Sequence, residues 1–198
     1  MNKQELNIKM NIISGSLEMI ESALKKRSEA LEQAASYNKS EHDLVSQSNN
    51  DEFVHFISSL QRFKNQKISE TNEAVKYIKT QQRSFDEIYA EYRSDSFDVE
   101  KASQYCDQLA KNIHDNIIIQ FINLSELVSQ IEYYLNQIDN SLLQNKIYGM
   151  LDESINSLRL AHRYNQSLDA LSSVVIGVKL QEVSWLWIIK TSLILCFY

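Results

Sequence analysis

Residues 6–34 read LNIKMNIISGSLEMIESALKKRSEALEQA. Within them Leu6, Met10, Ile13, Leu17, Ile20 and Leu24 follow a strict 4-3-4-3-4 spacing, and Leu31 and Ala34 continue it after Arg27. Apolar residues recurring about every 3.5 positions fall on one stripe of a helix, the pattern of a coiled coil or a bundle. Gly15 sits inside the pattern without ending it, since one interior glycine costs only about 1 kcal/mol.

Composition extends this reading to the whole chain. None of the 198 residues is proline, and only Gly15, Gly149 and Gly177 are glycine. Average usage would supply roughly ten prolines and fourteen glycines. These two residues punctuate turns and helix ends, so a chain that nearly lacks them is built of long helices.

Hydrophobic content of 43% and charged content of 23% are ordinary for a globular protein and argue against disorder. The net charge of −6 has the wrong sign for nucleic-acid binding and gives no electrostatic help on anionic lipid. Cys106 and Cys196 lie far apart without zinc-like or CxxC spacing and read as two ordinary thiols. The start, Met1-Asn-Lys-Gln-Glu-Leu, carries charge and has no continuous apolar run, which argues against a cleaved secretory signal. That leaves a cytoplasmic or membrane-associated protein, or one exported by a signal-less route. The N-x-S/T sequons at Asn38, Asn123 and Asn165 fall in helical sequence and read as chance.

The first seam fades at 36–40, and the polar stretch from there to Asp51 reads as a loop or weak helix. Asn50 or Asp51 can cap the next helix. Its seam runs Phe53, Ile57, Leu60, Lys64, Lys67, Thr71, Ala74, Ile78, Gln81, Phe85, Ile88 and Tyr92. Polar residues in mid-seam weaken packing but fix register. On that reading, leucine at both Lys64 and Lys67 is expected to raise the melting temperature while increasing self-association.

Arg93-Ser-Asp-Ser-Phe97-Asp98 is the sharpest break, because Ser and Asp favour caps over helix interiors. So short a break between long helices predicts an antiparallel hairpin. The third seam is Ala102, Cys106, Leu109, Ile113, Ile117, Phe121, Leu124, Val128, Ile131, Leu135, Ile138 and Leu142. From Leu109 to Phe121 the steps are 4-4-4, a stutter that locally unwinds a supercoil. Gly149 marks another weak point, and Leu151, Ile155, Leu158, Tyr164, Leu168, Leu171, Val175 and Val178 form the last seam.

Two stretches are unusually apolar. Residues 116–125 (NIIIQFINLS) carry no charge, and Ile117, Ile118, Ile119, Phe121 and Ile122 point all round the helix. They read as the centre of a bundle, or as a segment able to change packing partner. Residues 183–198 (VSWLWIIKTSLILCFY) are the strongest functional hint. Sixteen residues span about 24 Å as helix, short of the ~30 Å hydrocarbon core, and Lys190 opposes insertion by roughly 3 kcal/mol. Trp185, Trp187 and Tyr198 are nevertheless residue types of the membrane interface. Three readings compete for this stretch: a last core helix, a membrane-engaging end, or a chain interrupted where a longer one continued. On the second, Trp185, Leu186, Trp187, Ile188, Ile189, Leu193, Ile194, Leu195, Phe197 and Tyr198 make the membrane contact.

Catalytic chemistry has little to stand on. His42, His55, His114 and His162 fall in different segments. Glu52-Phe-Val-His55 is a lone ExxH, whereas a di-metal bundle site needs two such motifs and further carboxylates. No GxSxG, HExxH or phosphate-cradling glycine loop occurs. No catalytic residue, metal site, cofactor or small-molecule substrate is therefore expected. Tyr89, Tyr92, Tyr133 and Tyr134 fall at or beside seam positions and read as packing.

The seams, the uncharged Ile117–Ile119 region and the Trp185–Tyr198 end give a plan that resembles the α-helical pore-forming toxins of the cytolysin A and xenorhabdolysin kind. That resemblance implies long antiparallel helices and an apolar element concealed until membrane contact. In those toxins the element is usually buried between helices, whereas here the most apolar stretch is terminal. Tail-anchored trafficking proteins are a rival likeness, with longer anchors free of a central lysine.

The expectation is an all-α, elongated antiparallel coiled-coil bundle of about four helices in a single domain over residues 1–198. The helices are expected at about 5–36, 52–93, 98–147 and 150–198, the last ending in the apolar segment 183–198. Such a protein works without enzymatic activity by associating with itself or another helical protein, and engages a lipid membrane through 183–198. The alternatives are a subunit of a pore-forming toxin and a soluble coiled-coil scaffold.

Overall fold

The computed structural model describes residues 3–46, 51–92, 97–113, 115, 116, 129 and 141–180. Among them the regular structure is helical throughout, with no strand. The helices are α1 (Lys3–Ser36), α2 (Asn38–Ser46), α3 (Asp51–Glu91), α4 (Val99–Ile113) and α5 (Ser141–Leu180). The all-α expectation therefore holds. The polar stretch after α1 forms the nine-residue helix α2. Asn50 lies outside the described residues, and Asp51 is already the first residue of α3.

The break before α4 is visible from Phe97 onward. Asp98 caps α4, its Oδ1 accepting from Glu100 N at 3.0 Å and Lys101 N at 3.1 Å. These amides belong to the first turn, where no intrahelical carbonyl precedes them. Residues 93–96 lie outside the described residues. Where the third seam stutters, the helical hydrogen bonding widens to π type at Asp115 and Asn116.

One boundary differs from expectation. α5 runs uninterrupted through Gly149, so residues 141–147 belong to the last helix and not to the end of the third. A Cβ built on Gly149 would meet nothing within 4 Å, so neither crowding nor backbone geometry demands a glycine there. One exposed glycine alone does not end a helix whose neighbours favour it.

The chain divides into two compact units. Unit 1 draws on Met1–Leu24, Ala74–Phe121 and Asn165–Tyr198, and unit 2 on Lys25–Glu73 and Ile122–Tyr164. The core of unit 1 is apolar: Leu6 through Leu24 of the α1 seam meet Ala74, Ile78 and Phe85 of α3. Ala102, Cys106, Leu109, Ala110 and Ile113 of α4 and Leu168 of α5 complete it. Unit 2 has a smaller apolar cluster of Ala30, Leu31 and Ala34 with Ile57, Leu60, Leu151, Ile155, Leu158 and Ala161. All eight apolar α1 seam residues read from the sequence are at most 1% exposed. On α5 the buried line passes through Ala161 and Asn165, with Tyr164 only half-buried.

Candidate functional site

In unit 2 the seam turns polar on both sides. On α1, Arg27 takes the position between Leu24 and Leu31 and is fully buried. On α3, Lys64, Lys67 and Thr71 are buried as the seam requires. Arg27 Nη1 donates to Thr71 Oγ1, which in turn donates to Lys67 O at 2.6 Å. Beside them Ser28 Oγ donates to Asn72 Oδ1 at 2.8 Å. Burial draws the Arg27 guanidinium below its ordinary value to about 10, against the raising influence of Glu70, so it stays charged at neutral pH.

Glu70 completes this layer, accepting from Lys67 Nζ at 2.6 Å and Gln66 Nε2 at 2.8 Å. Burial alone would raise its carboxyl. The hydrogen bonds from Lys67 and Gln66, with the charges of Lys67 and Arg27, outweigh that and hold it below the ordinary value.

One turn further along α3, Lys64 sits at the junction of α1 and α2. Its ammonium donates to Ala34 O at 3.1 Å, Asn38 Oδ1 at 3.3 Å and Glu41 Oε1 at 2.5 Å. A lysine has three protons to place, and all three find acceptors. Ala34 belongs to the last turn of α1, whose carbonyls lack following helical amides and attract a cation. Glu41 belongs to the first turn of α2, where a carboxylate is favoured. Lys64 and Glu41 therefore match the two helix ends they join, and both side chains are 0% exposed. Burial pushes the lysine's pKa down and Glu41 pushes it back up. Ser154 Oγ also donates to Ala34 O, and the Tyr37 hydroxyl donates to Glu153, which raises that phenol's pKa.

The stability expected for leucine at 64 is reversed by this geometry. Removing one partner of a buried ion pair strands the other, so Lys64→Leu alone leaves Glu41 as an uncompensated buried carboxylate. Glu41 carried no signal in the sequence, because its partner lies on another helix and its neighbours are polar.

The remaining candidates are scattered. The side chain of Glu52 lies outside the described residues, and His55 is exposed, with Nδ1 3.4 Å from Ser59 Oγ. Among the described residues no group of three or more His, Cys, Asp or Glu side chains could hold a metal ion. Cys106 is buried in the unit 1 core, where burial raises its thiol to about 11 and suppresses the reactive thiolate. Tyr89 and Tyr92 pack as read, stacked with ring centroids 6.3 Å apart. The sequon residue Asn38 spends its side-chain oxygen on Lys64, and Asn165 is buried. Ile117, Ile118, Ile119, Phe121 and Ile122 lie outside the described residues, as do Trp185, Leu186, Trp187, Ile188, Ile189, Leu193, Ile194, Leu195, Phe197 and Tyr198. Comparison with protein-family models, curated proteins and solved structures finds no match for this chain.

Proposed function

We propose that this is a non-enzymatic protein of antiparallel coiled helices, which works by register-specific helix association and engages a membrane through residues 183–198. The observation that carries the association reading is the buried polar layer of unit 2. Polar residues at seam positions sacrifice stability and specify alignment, which suits a protein whose task is to present helices in one register. Antiparallel pairing is supported in each unit by the order of contacts. In unit 1 Lys3 O accepts from Tyr92 and Asn11 accepts from Tyr89; in unit 2 Arg27 bonds Thr71 and Ala34 accepts from Lys64. Partner numbers on α3 fall as those on α1 rise.

The membrane part rests on the sequence of 183–198 alone. Among the described residues no helix is long and apolar enough to cross a membrane. Contact through this segment would be interfacial and driven by apolar area, without help from an acidic chain. A second reading, a pore-forming toxin subunit, is favoured by three long helices of 34, 41 and 40 residues.

Liposome flotation with zwitterionic vesicles, paired with release of a trapped dye, tests these readings. Flotation that varies little with salt and vanishes on deleting 183–198 is expected. Dye release in addition would favour the toxin reading. Protein that neither floats nor releases dye would leave only the scaffold.

A further inference from the structure

Helices α1 and α2 are separated by one residue, Tyr37. The usual breakers are missing there, since the chain has no proline and no glycine between Gly15 and Gly149. Tyr37 stands where α2 needs a cap, its carbonyl accepting from Glu41 N at 3.0 Å. A favoured cap carries a short side-chain oxygen, whereas the Tyr37 hydroxyl reaches away to donate to Glu153 of α5. Ser36 Oγ donates back to Gln33 O at 2.7 Å, a local contact that bends helices without ending them. The line of contact also runs through the break. Ala34, Asn38 and Glu41, at spacings of four and three, all accept from the one Lys64 ammonium. Residues at those spacings share a face when the helical phase is kept, so α1 and α2 read as one helix with a fault in it.

The fault lies at Ala34 O. In an unbroken helix this carbonyl accepts from the amide four residues on, Asn38 N. Here it takes Lys64 Nζ from α3 at 3.1 Å and Ser154 Oγ from α5 at 3.4 Å. Helices kink where a side chain enters the i→i−4 ladder. We infer that Lys64, seconded by Ser154, is a wedge that splits one helix, Lys3–Ser46, into α1 and α2. A charge-assisted hydrogen bond is roughly twice as strong as the neutral amide bond it displaces. The wedge is a conformational device, because it depends on where α3 stands. A slip of one heptad would bring Ile57 or Thr71 opposite Ala34, and neither carries a cation. Continuity of the first helix therefore reports the alignment of α3. This coupling rests on the register reading proposed above, while the cause of the break does not.

Residue-resolved NMR on the full chain, without lipid, tests the wedge. Lys64→Met with Glu41→Leu removes the ammonium without stranding its carboxylate, and keeps the contact of Arg27 with Thr71. In that variant the Asn38 amide should exchange about tenfold more slowly than in wild type, and the Tyr37 Cα shift should move into the helical range. Amides in 8–24 should keep their rates within about twofold. Ser36→Ala with Ser40→Ala, both at exposed positions, raises local helix propensity and leaves the wedge in place, so the break should persist. A break that persists in the lysine variant would overturn the wedge, and so would one that heals in the serine variant. Should the lysine variant lose its fold, seen as acceleration across 8–24, the serine variant decides alone. Arg27 and Thr71 are untouched in both, so failure of the wedge leaves the register reading standing.

Discussion

The helix α1 carries two kinds of interface along one stripe. In unit 1 its residues from Leu6 to Leu24 meet an apolar surface, beside which the buried Lys9 pairs with the partly exposed Asp107 at 2.6 Å. In unit 2 the stripe begins with Arg27, and on α3 the buried residues include Lys64, Lys67 and Thr71 as well as Ile57 and Leu60. Apolar burial is strong but non-directional, so a Leu–Ile seam gains nearly as much after a slip of one heptad. A buried guanidinium on a threonine hydroxyl has no such freedom, because a slip strands both. On the function proposed above, the polar layer of unit 2 adds alignment to the stability that the apolar clusters of both units supply.

The largest expected effect separates the two directly. Leu17→Ala removes a fully buried side chain from the unit 1 seam. It should cost about 2–5 kcal/mol in a urea titration, as large-to-small core changes do. A cost near zero would mean the apolar seam is not where the stability lies.

A smaller effect is expected from the polar layer. Arg27→Leu with Thr71→Val replaces both members of the buried contact, while Glu70 keeps Lys67 and Gln66. Apolar replacement of a buried polar pair is often neutral or stabilising, so the change should stay within about 1.5 kcal/mol of wild type in either direction. A loss as large as that of Leu17→Ala would erase the distinction between the units.

The smallest effect is one of pH. The Glu70 carboxyl is held below its ordinary 4.5, so the folded state favours its charged form. Its contribution is present above that ordinary value and is lost as pH falls through the lower folded value. Being partly solvated, it is worth on the order of 0.5 kcal/mol. Urea midpoints of wild type and Glu70→Gln should differ at neutral pH and converge in acid. A gap that widens in acid would mean the sign is wrong.

Much of this contrast was legible in the residues themselves. The 4-3 spacing placed every apolar seam residue of α1 in the core, and it placed Lys64, Lys67 and Thr71 inside despite their polarity. The cap at Asp98 followed from the chemistry of Ser and Asp in a short break. What escaped was pairing at a distance. Glu41 and Lys64 lie 23 positions apart, and a charge on a polar stretch gives no sign that it will be buried. Small residues also hide a seam: Ala161 carries little hydrophobic weight, so the reading stepped to Tyr164, while burial follows Ala161 and Asn165. Gly149 misled in the opposite direction, since a glycine is common at helix ends but does not by itself make one.

The claim that the polar layer fixes register has a direct test in electron–electron double resonance. Spin labels at exposed Gln33 on α1 and Asn65 on α3, with Cys106→Ala and Cys196→Ala, report the alignment of the two helices. Wild type should give one narrow distance. Arg27→Leu with Thr71→Val should broaden it or add a population displaced by up to about 10 Å, the rise of one heptad. A distribution as narrow as wild type, at the same distance, would contradict the account.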